Sequence, residues 1–109
     1  MDLTKMSEKV LCVLYSVYLQ KRKEGMLLRD ARKFTDPDYK RLTEESKIQY
    51  LDARDILWEL TRANYVRSYI TGGFYLTDTA LIYLENRFEN KIEKVLDVIG
   101  KIKGVIPFV

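Results

Sequence analysis

The sequence has no histidine and a single cysteine, Cys12. The lack of histidine excludes Ser-His-Asp and Cys-His catalysis and the usual zinc and haem sites. One cysteine excludes an intramolecular disulfide framework. Carboxylates, lysines and tyrosines are the catalytic groups that remain, and no glycine-rich phosphate loop accompanies them. The composition therefore predicts a protein that is not an enzyme and that uses no metal or other cofactor.

Long apolar runs are also missing. The longest uncharged stretch, 10–20, has eleven residues, whereas a membrane-spanning helix needs about 18. Residues 1–5 show no basic head leading into an apolar stretch, so we expect no secretory signal. The chain has 109 residues, of which 47% are hydrophobic and 32% charged, a balance typical of one globular domain. We therefore expect a cytoplasmic protein with no membrane partner.

The excess of positive charge is small. The chain has nineteen lysines and arginines and sixteen aspartates and glutamates, which gives a net charge of +3. A chain with so little excess binds nucleic acid only when its basic side chains are sorted onto one face. The low count of amide side chains beside many charged ones suits a thermophile.

A helix is predicted over 7–23, and it has two apolar faces. Val10 and Leu14 lie on one face at helical spacing, while Cys12 and Tyr15 lie on the other. A helix of this kind is either enclosed in its own domain or shared with another chain. Cys12 has two corresponding interpretations, a small apolar core residue or an intermolecular disulfide across a two-fold axis.

The middle of the chain predicts a short strand followed by a short helix over 26–35, and then a long helix over 44–63. Thr43 is positioned to cap the long helix, with acidic residues in its first turn. Apolar side chains recur on one face of this helix at the spacing that a helix buries. The predicted buried residues are Ala53, Ile56, Leu57 and Leu60.

A change of period predicts a β-hairpin over 65–77. Aromatic and β-branched residues precede Thr71-Gly72-Gly73, a tight-turn signal, and a second such run follows it. Side chains alternate along a strand, so Arg67, Tyr69 and Tyr75 are expected on one face. Thr77 is positioned to cap the final helix.

The final helix is predicted to be long and to mediate dimerisation. Its apolar stripe runs from Leu81 to Ile102, and a helix of about 25 residues measures about 40 Å, more than a domain of this size covers. We therefore divide the chain into a domain at 1–80 and a C-terminal dimerisation helix with an apolar tail at 81–109. The predicted interface residues are Phe88, Ile92, Val95, Ile99 and Ile102.

The stretch 57–84 resembles the winged helix-turn-helix family, in the form found in PadR-like and related small bacterial and archaeal regulators. That pattern has two leucines before a glycine, a hairpin, and a capped helix. Asn64 and Leu81 replace glycines of the pattern, and asparagine is the residue next best suited to a left-handed helix end. The matching residues are Leu57, Leu60, Tyr65, Val66, Phe74, Leu76 and Thr77.

The resemblance implies a mainly α fold with a small β-hairpin wing and, here, a long C-terminal helix. Together with the predicted dimerisation helix, it predicts a homodimer that binds double-stranded DNA as a transcriptional regulator or a small chromatin-type protein and that is associated with the nucleoid. The 44–63 helix would lie in the major groove and the 65–77 hairpin would contact the backbone. No small-molecule ligand is indicated. The residues expected to contact DNA are Lys40, Arg41, Lys47, Arg54, Arg67, Tyr69 and Tyr75.

The two flanks of the 44–63 helix leave a second interpretation open. One flank carries Lys47 and Arg54 with the apolar Leu51 and Trp58, and the other is acidic, with Asp52, Asp55 and Glu59 as its members. Phosphates would be repelled by the acidic flank. A winged-helix module that binds another protein would use this acidic flank together with an exposed tryptophan.

Overall fold

The structure is a computed structural model that describes residues 3–35, 38, 40, 43, 48–69, 72–89, 91 and 93–95. It is mainly helical with one small antiparallel sheet of three strands, in the order β1-β3-β2. This confirms the mainly α prediction and adds a third strand to the predicted hairpin. The elements are α1 Lys5–Lys23, α2 Leu28–Ala31, β1 Lys33–Phe34, α3 Tyr50–Arg62, β2 Val66–Ser68, β3 Phe74–Leu76 and α4 Asp78–Phe88.

Helix α1 forms the centre of the core. Thr4 caps it, since the Thr4 side chain accepts a hydrogen bond from the Ser7 backbone N–H. Both of its apolar faces are buried within this one chain, Val10 and Leu14 on one side and Cys12 and Tyr15 on the other. The helix is therefore enclosed by its own domain, against α2, α3 and α4.

Cys12 is a free thiol with 0% of its surface exposed. Its burial raises its pKa to about 12, which keeps the sulfur protonated and unreactive. A bridge to a second copy requires the sulfur to leave this core. The buried position agrees with the small core residue and argues against the intermolecular disulfide.

We expect the Cys12 thiol to form no intermolecular disulfide and to stay unmodified in the native protein. A thiol reagent at pH 8 should label less than a tenth of the chains before unfolding and one thiol per chain in denaturant, because the buried sulfur is protonated and shielded. Non-reducing electrophoresis after air oxidation should give a single monomer band. A reductant-sensitive band at twice the chain mass, absent in Cys12→Ser, would restore the disulfide interpretation.

The segment 26–35 folds in the reverse of the predicted order, with α2 before β1. Leu28, Ala31 and Phe34 have helical spacing, yet Phe34 reaches the core as a strand residue. It pairs with Phe74 of β3, and the two rings stack with centroids 5.2 Å apart. A partner strand forty residues away overrides the local periodicity.

Helix α3 begins later than predicted. Gln49 is extended, with φ −63° and ψ 146° and no side-chain cap bond, so the helix starts at Tyr50 rather than at 44. Thr43 does not cap it; the Thr43 hydroxyl donates to the Lys40 carbonyl at 2.8 Å. The predicted buried face is confirmed, because Ala53, Ile56 and Leu60 are buried and Leu57 packs against the core.

The predicted hairpin and the cap after it are confirmed. Asn64 adopts φ 65° at the end of α3, the left-handed conformation that asparagine tolerates. Val66 pairs with Leu76 across the antiparallel strands. The Thr77 hydroxyl donates to the Asn64 carbonyl at 2.6 Å and accepts from the Ala80 N–H at 3.2 Å, so one side chain joins the hairpin to both helices.

The prediction of one continuous C-terminal helix is wrong. Helix α4 ends at Phe88, because Glu89 is left-handed with φ 54°. Phe88 lies in the core against Tyr15, with ring centroids 6.2 Å apart, and Val95 is fully buried in the same core. Val95, which lies past Glu89, is therefore covered by its own chain and not by a second copy. Ile92, Ile99 and Ile102 lie outside the described residues.

Within the described part of the chain, none of the helices has both the length and the apolar character needed to cross a membrane.

Candidate functional site

The outer face of the sheet carries a row of basic and aromatic side chains. Tyr75 on the central strand pairs with Lys33 of β1 on one side and with Arg67 of β2 on the other. Directly opposed residues project to the same face of a sheet. Because Phe34 and Phe74 occupy the inner face, Lys33 and Arg67 stand on the outer one, and both are exposed.

A groove of about 430 Å³ lies along this row, and we name it the sheet groove. It is formed by the outer face of the sheet, α2 and the start of α4. Four of its side chains are cationic and one is a carboxylate. Its lining residues are Arg29, Arg32, Lys33, Asn64, Arg67, Tyr69, Tyr75, Thr77, Asp78 and Thr79.

One of the four cations is used by the fold. The Arg32 Nη2 atom pairs with Asp78 Oδ1 at 2.7 Å, and Arg32 Nε donates to the Leu76 carbonyl at 2.8 Å. Arg32 thereby ties α2 to β3 and neutralises the carboxylate of the groove. Among the described residues, no carboxylate pairs with Arg29, Lys33 or Arg67, so the sheet groove keeps a net positive charge.

Two tyrosines form the aromatic part of the groove. The Tyr69 and Tyr75 rings lie 5.0 Å apart. Lys33 Nζ lies 5.8 Å from the Tyr69 ring centroid, and the Arg32 guanidinium lies 5.8 Å from that of Tyr75. Cations over ring faces hold the side chains in one cluster. Arg67, Tyr69 and Tyr75 are therefore brought to one face, as the alternation of the hairpin predicted.

Arg29, Arg32 and Lys33 were missed by the sequence reasoning. They belong to α2, the turn after it and β1, a segment whose order of elements was predicted in reverse. β1 has only two residues, Lys33 and Phe34, which is too short for a pattern of alternation to predict it.

The other predicted DNA-contacting residues lie apart from the sheet groove. Arg54 is on the exposed side of α3, and Lys40 is exposed. Arg41 and Lys47 lie outside the described residues. Because α3 begins at Tyr50, the predicted pairing of Lys47 with Arg54 along one helix is not formed by α3.

The acidic flank of α3 is not uniform. Asp52 and Asp55 are exposed, whereas Glu59 contacts the start of α1. The Ser7 hydroxyl donates to Glu59 Oε2 at 2.7 Å, and the Thr4 N–H donates to Glu59 Oε1 at 3.3 Å. A carboxylate at a helix N-terminus is favoured by the helix dipole. Glu59 therefore links two helices while it keeps its negative charge.

Glu59 should make stability depend on pH. The hydrogen bonds from Ser7 and Thr4 lower the pKa of this carboxyl, so it stabilises the fold above about pH 5, and the effect is lost as the pH falls through the lowered pKa. Glu59→Gln should therefore be less stable than the parent at pH 7, with the gap in the free energy of unfolding narrowing as the pH falls towards 3.

Urea unfolding of both proteins across this range measures the gap. Asp55→Asn is the matched control, because it removes an exposed carboxylate from the same helix and should show little gap at either pH. A gap for Glu59→Gln that is independent of pH would contradict the ionic role.

Comparisons of the chain with known protein families, with curated proteins and with solved structures gave no match. The candidate site therefore rests on the geometry of the chain itself.

Proposed function

We propose that this chain is a winged-helix protein that binds double-stranded DNA, as a transcriptional regulator or a small chromatin-type protein. The order of elements supports the fold: α1, β1 and α3 precede the β2–β3 hairpin, and the capped α4 follows it. In this proposal the hairpin is the wing and α3 faces the DNA. The observation that carries the proposal is the sheet groove, a basic surface centred on the hairpin.

The chemistry of the sheet groove suits a DNA backbone. Arg29, Lys33 and Arg67 supply positive charge without a carboxylate partner in the described part of the chain. The hydroxyls of Tyr69 and Tyr75 add hydrogen-bond donors. Arginine, lysine and tyrosine are among the side chains that contact phosphates, and such contacts orient a protein on the duplex without reading its sequence.

Fluorescence anisotropy with a labelled 20-base-pair duplex tests the proposal. If three cations each neutralise one phosphate, the affinity should fall about 40-fold between 50 and 200 mM salt, because each contact releases condensed counterions. No binding at 50 mM salt, or binding that is insensitive to salt, would contradict DNA binding.

A second function is favoured by one observation on α3. Leu51 and Trp58 have 60% and 59% of their surface exposed, and Asp52 and Asp55 lie beside them. An exposed tryptophan is a frequent anchor of protein interfaces. A winged-helix module that binds a basic protein partner would use this surface, and it would show no duplex binding in the anisotropy experiment.

We also propose a homodimer, formed through the C-terminal segment. Two of the five predicted interface residues, Phe88 and Val95, are buried in their own chain, so the proposal now rests on Ile92, Ile99 and Ile102 and their helical spacing in the sequence.

Ile99→Asp should convert the dimer to a monomer, because a charge placed in an apolar interface has no partner. Light scattering reports the mass, which should halve while the circular dichroism is kept. Phe88→Ala is the control: it should lower the free energy of unfolding through a cavity in the core and leave the mass unchanged. A dimer that persists in Ile99→Asp would place the interface elsewhere.

A further inference from the structure

The exposed face of α3 is poorly suited to reading DNA. Within the described residues, its exposed charged members are Asp52, Arg54 and Asp55 in the first half and Arg62 in the last turn, so carboxylates and guanidiniums are equal in number. The first half of a helix is the part that most often meets base edges in the major groove. Here two carboxylates and one guanidinium would face the phosphates that border it, so the first half of α3 carries a net negative charge.

The usual base-reading side chains are also scarce on this face. Direct readout in the major groove most often uses Arg, Lys, Asn and Gln, whereas Asp and Glu accept from cytosine N4. Arginine is the one such type on the exposed face of α3, and Arg62 belongs to the last turn. Two large exposed side chains of this helix, Leu51 and Trp58, are apolar.

The sheet groove has the opposite character. Its row of Lys33, Tyr75 and Arg67 crosses all three strands, and Arg29 of α2 adds a further positive charge to the lining of the groove. Its carboxylate, Asp78, is neutralised by Arg32 at 2.7 Å. Because these cations come from α2, β1 and β2, the surface is pre-organised by the core beneath the sheet and does not depend on α3.

We propose that the sheet groove is the main phosphate-binding surface and that α3 contributes little to affinity. This inference rests on the proposed DNA-binding function. The winged-helix resemblance implies that a helix in the major groove makes the main DNA contacts and that the wing adds to them. The inference reverses these two contributions. Contacts made to phosphates carry no base information, so the protein binds duplex DNA with little regard to sequence.

Two double variants with equal loss of charge test this inference. Lys33→Ala with Arg67→Ala removes two cations from the sheet groove, and Arg54→Ala with Arg62→Ala removes two from α3. All four residues are exposed, so both proteins should fold, which circular dichroism and urea unfolding verify. Lys33→Arg with Arg67→Lys keeps both charges and serves as the rescue control.

Anisotropy is measured between 50 and 200 mM salt on two duplexes of equal length and different sequence. The groove variant should lose at least tenfold in affinity at 100 mM salt, and its salt slope should fall by about 2, one for each lost phosphate contact. The α3 variant should change by less than about threefold, and the rescue variant should match the parent. The parent should bind both duplexes within about threefold, whereas sequence-specific proteins discriminate by about a thousandfold or more.

The outcomes separate the two proposals. If the unaltered protein binds neither duplex, the proposed function fails. If it binds but the α3 variant loses as much affinity as the groove variant, DNA binding stands and the inference about the sheet groove is overturned. The same holds if the unaltered protein strongly prefers one of the two duplexes.

Discussion

Gly73→Ala is expected to destabilise the protein by about 3 kcal/mol. Gly73 has φ +80°, a left-handed conformation that strains any residue with a Cβ atom. A Cβ atom there would also lie 2.6 Å from the Phe34 carbonyl oxygen. This oxygen belongs to the backbone of β1, next to the pairing of Phe34 with Phe74, so it cannot move without disturbing the sheet.

Gly25→Ala is the matched control for this prediction. Gly25 has φ +92°, but a Cβ atom added to it meets nothing within 4 Å. It should therefore cost only the backbone strain, about 1 kcal/mol. Urea unfolding followed by circular dichroism measures both free energies of unfolding. Equal losses at the two glycines would show that contact with β1 contributes nothing.

Leu60→Ala is expected to have the largest effect of any single leucine truncation in α3, about 3 to 4 kcal/mol. Leu60 has 0% of its surface exposed and lies in the core that α1 and α3 share with the sheet. Truncation removes buried apolar surface and leaves a cavity, and both terms destabilise the fold.

Leu51→Ala provides the same substitution on the opposite side of the same helix. Leu51 is 60% exposed, and exposed substitutions usually change stability by less than about 0.5 kcal/mol. Chemical unfolding of the two variants in parallel separates burial from helix propensity, because the change of residue type is identical. A loss at Leu51 comparable to that at Leu60 would show that this face is covered in solution.

The elements that could be predicted are those with strong local signals. The hairpin follows from a glycine turn between two β-rich runs, and Asn64 and Thr77 mark its ends through a left-handed residue and a helix cap. The buried face of α3 follows from the 3.6-residue period. These features depend on residues close together in the sequence, so the pattern alone is sufficient.

The candidate site was only half predictable. Arg67, Tyr69 and Tyr75 share a face because strand side chains alternate, which the sequence shows. Lys33 joins them because β1 pairs with β3. In this pairing Lys33 lies opposite Tyr75, which is 42 positions later in the sequence. Loss of chain entropy opposes such long-range pairing, and burial of Phe34 against Phe74 offsets it. No local pattern in the sequence shows that this burial outweighs the loss of chain entropy.

The sequence by itself determined the mainly helical class, the hairpin with its turn and caps, the buried faces of α1 and α3, and the absence of histidine chemistry. The tertiary structure decided which surfaces α1 shares, where α4 ends and which cations gather. Both apolar faces of α1 and the side chains of Phe88 and Val95 are buried in one chain, although a dimer would have explained the same pattern. Apolar periodicity shows that a face is buried, but only packing shows which surface covers it, since the hydrophobic effect is not directional.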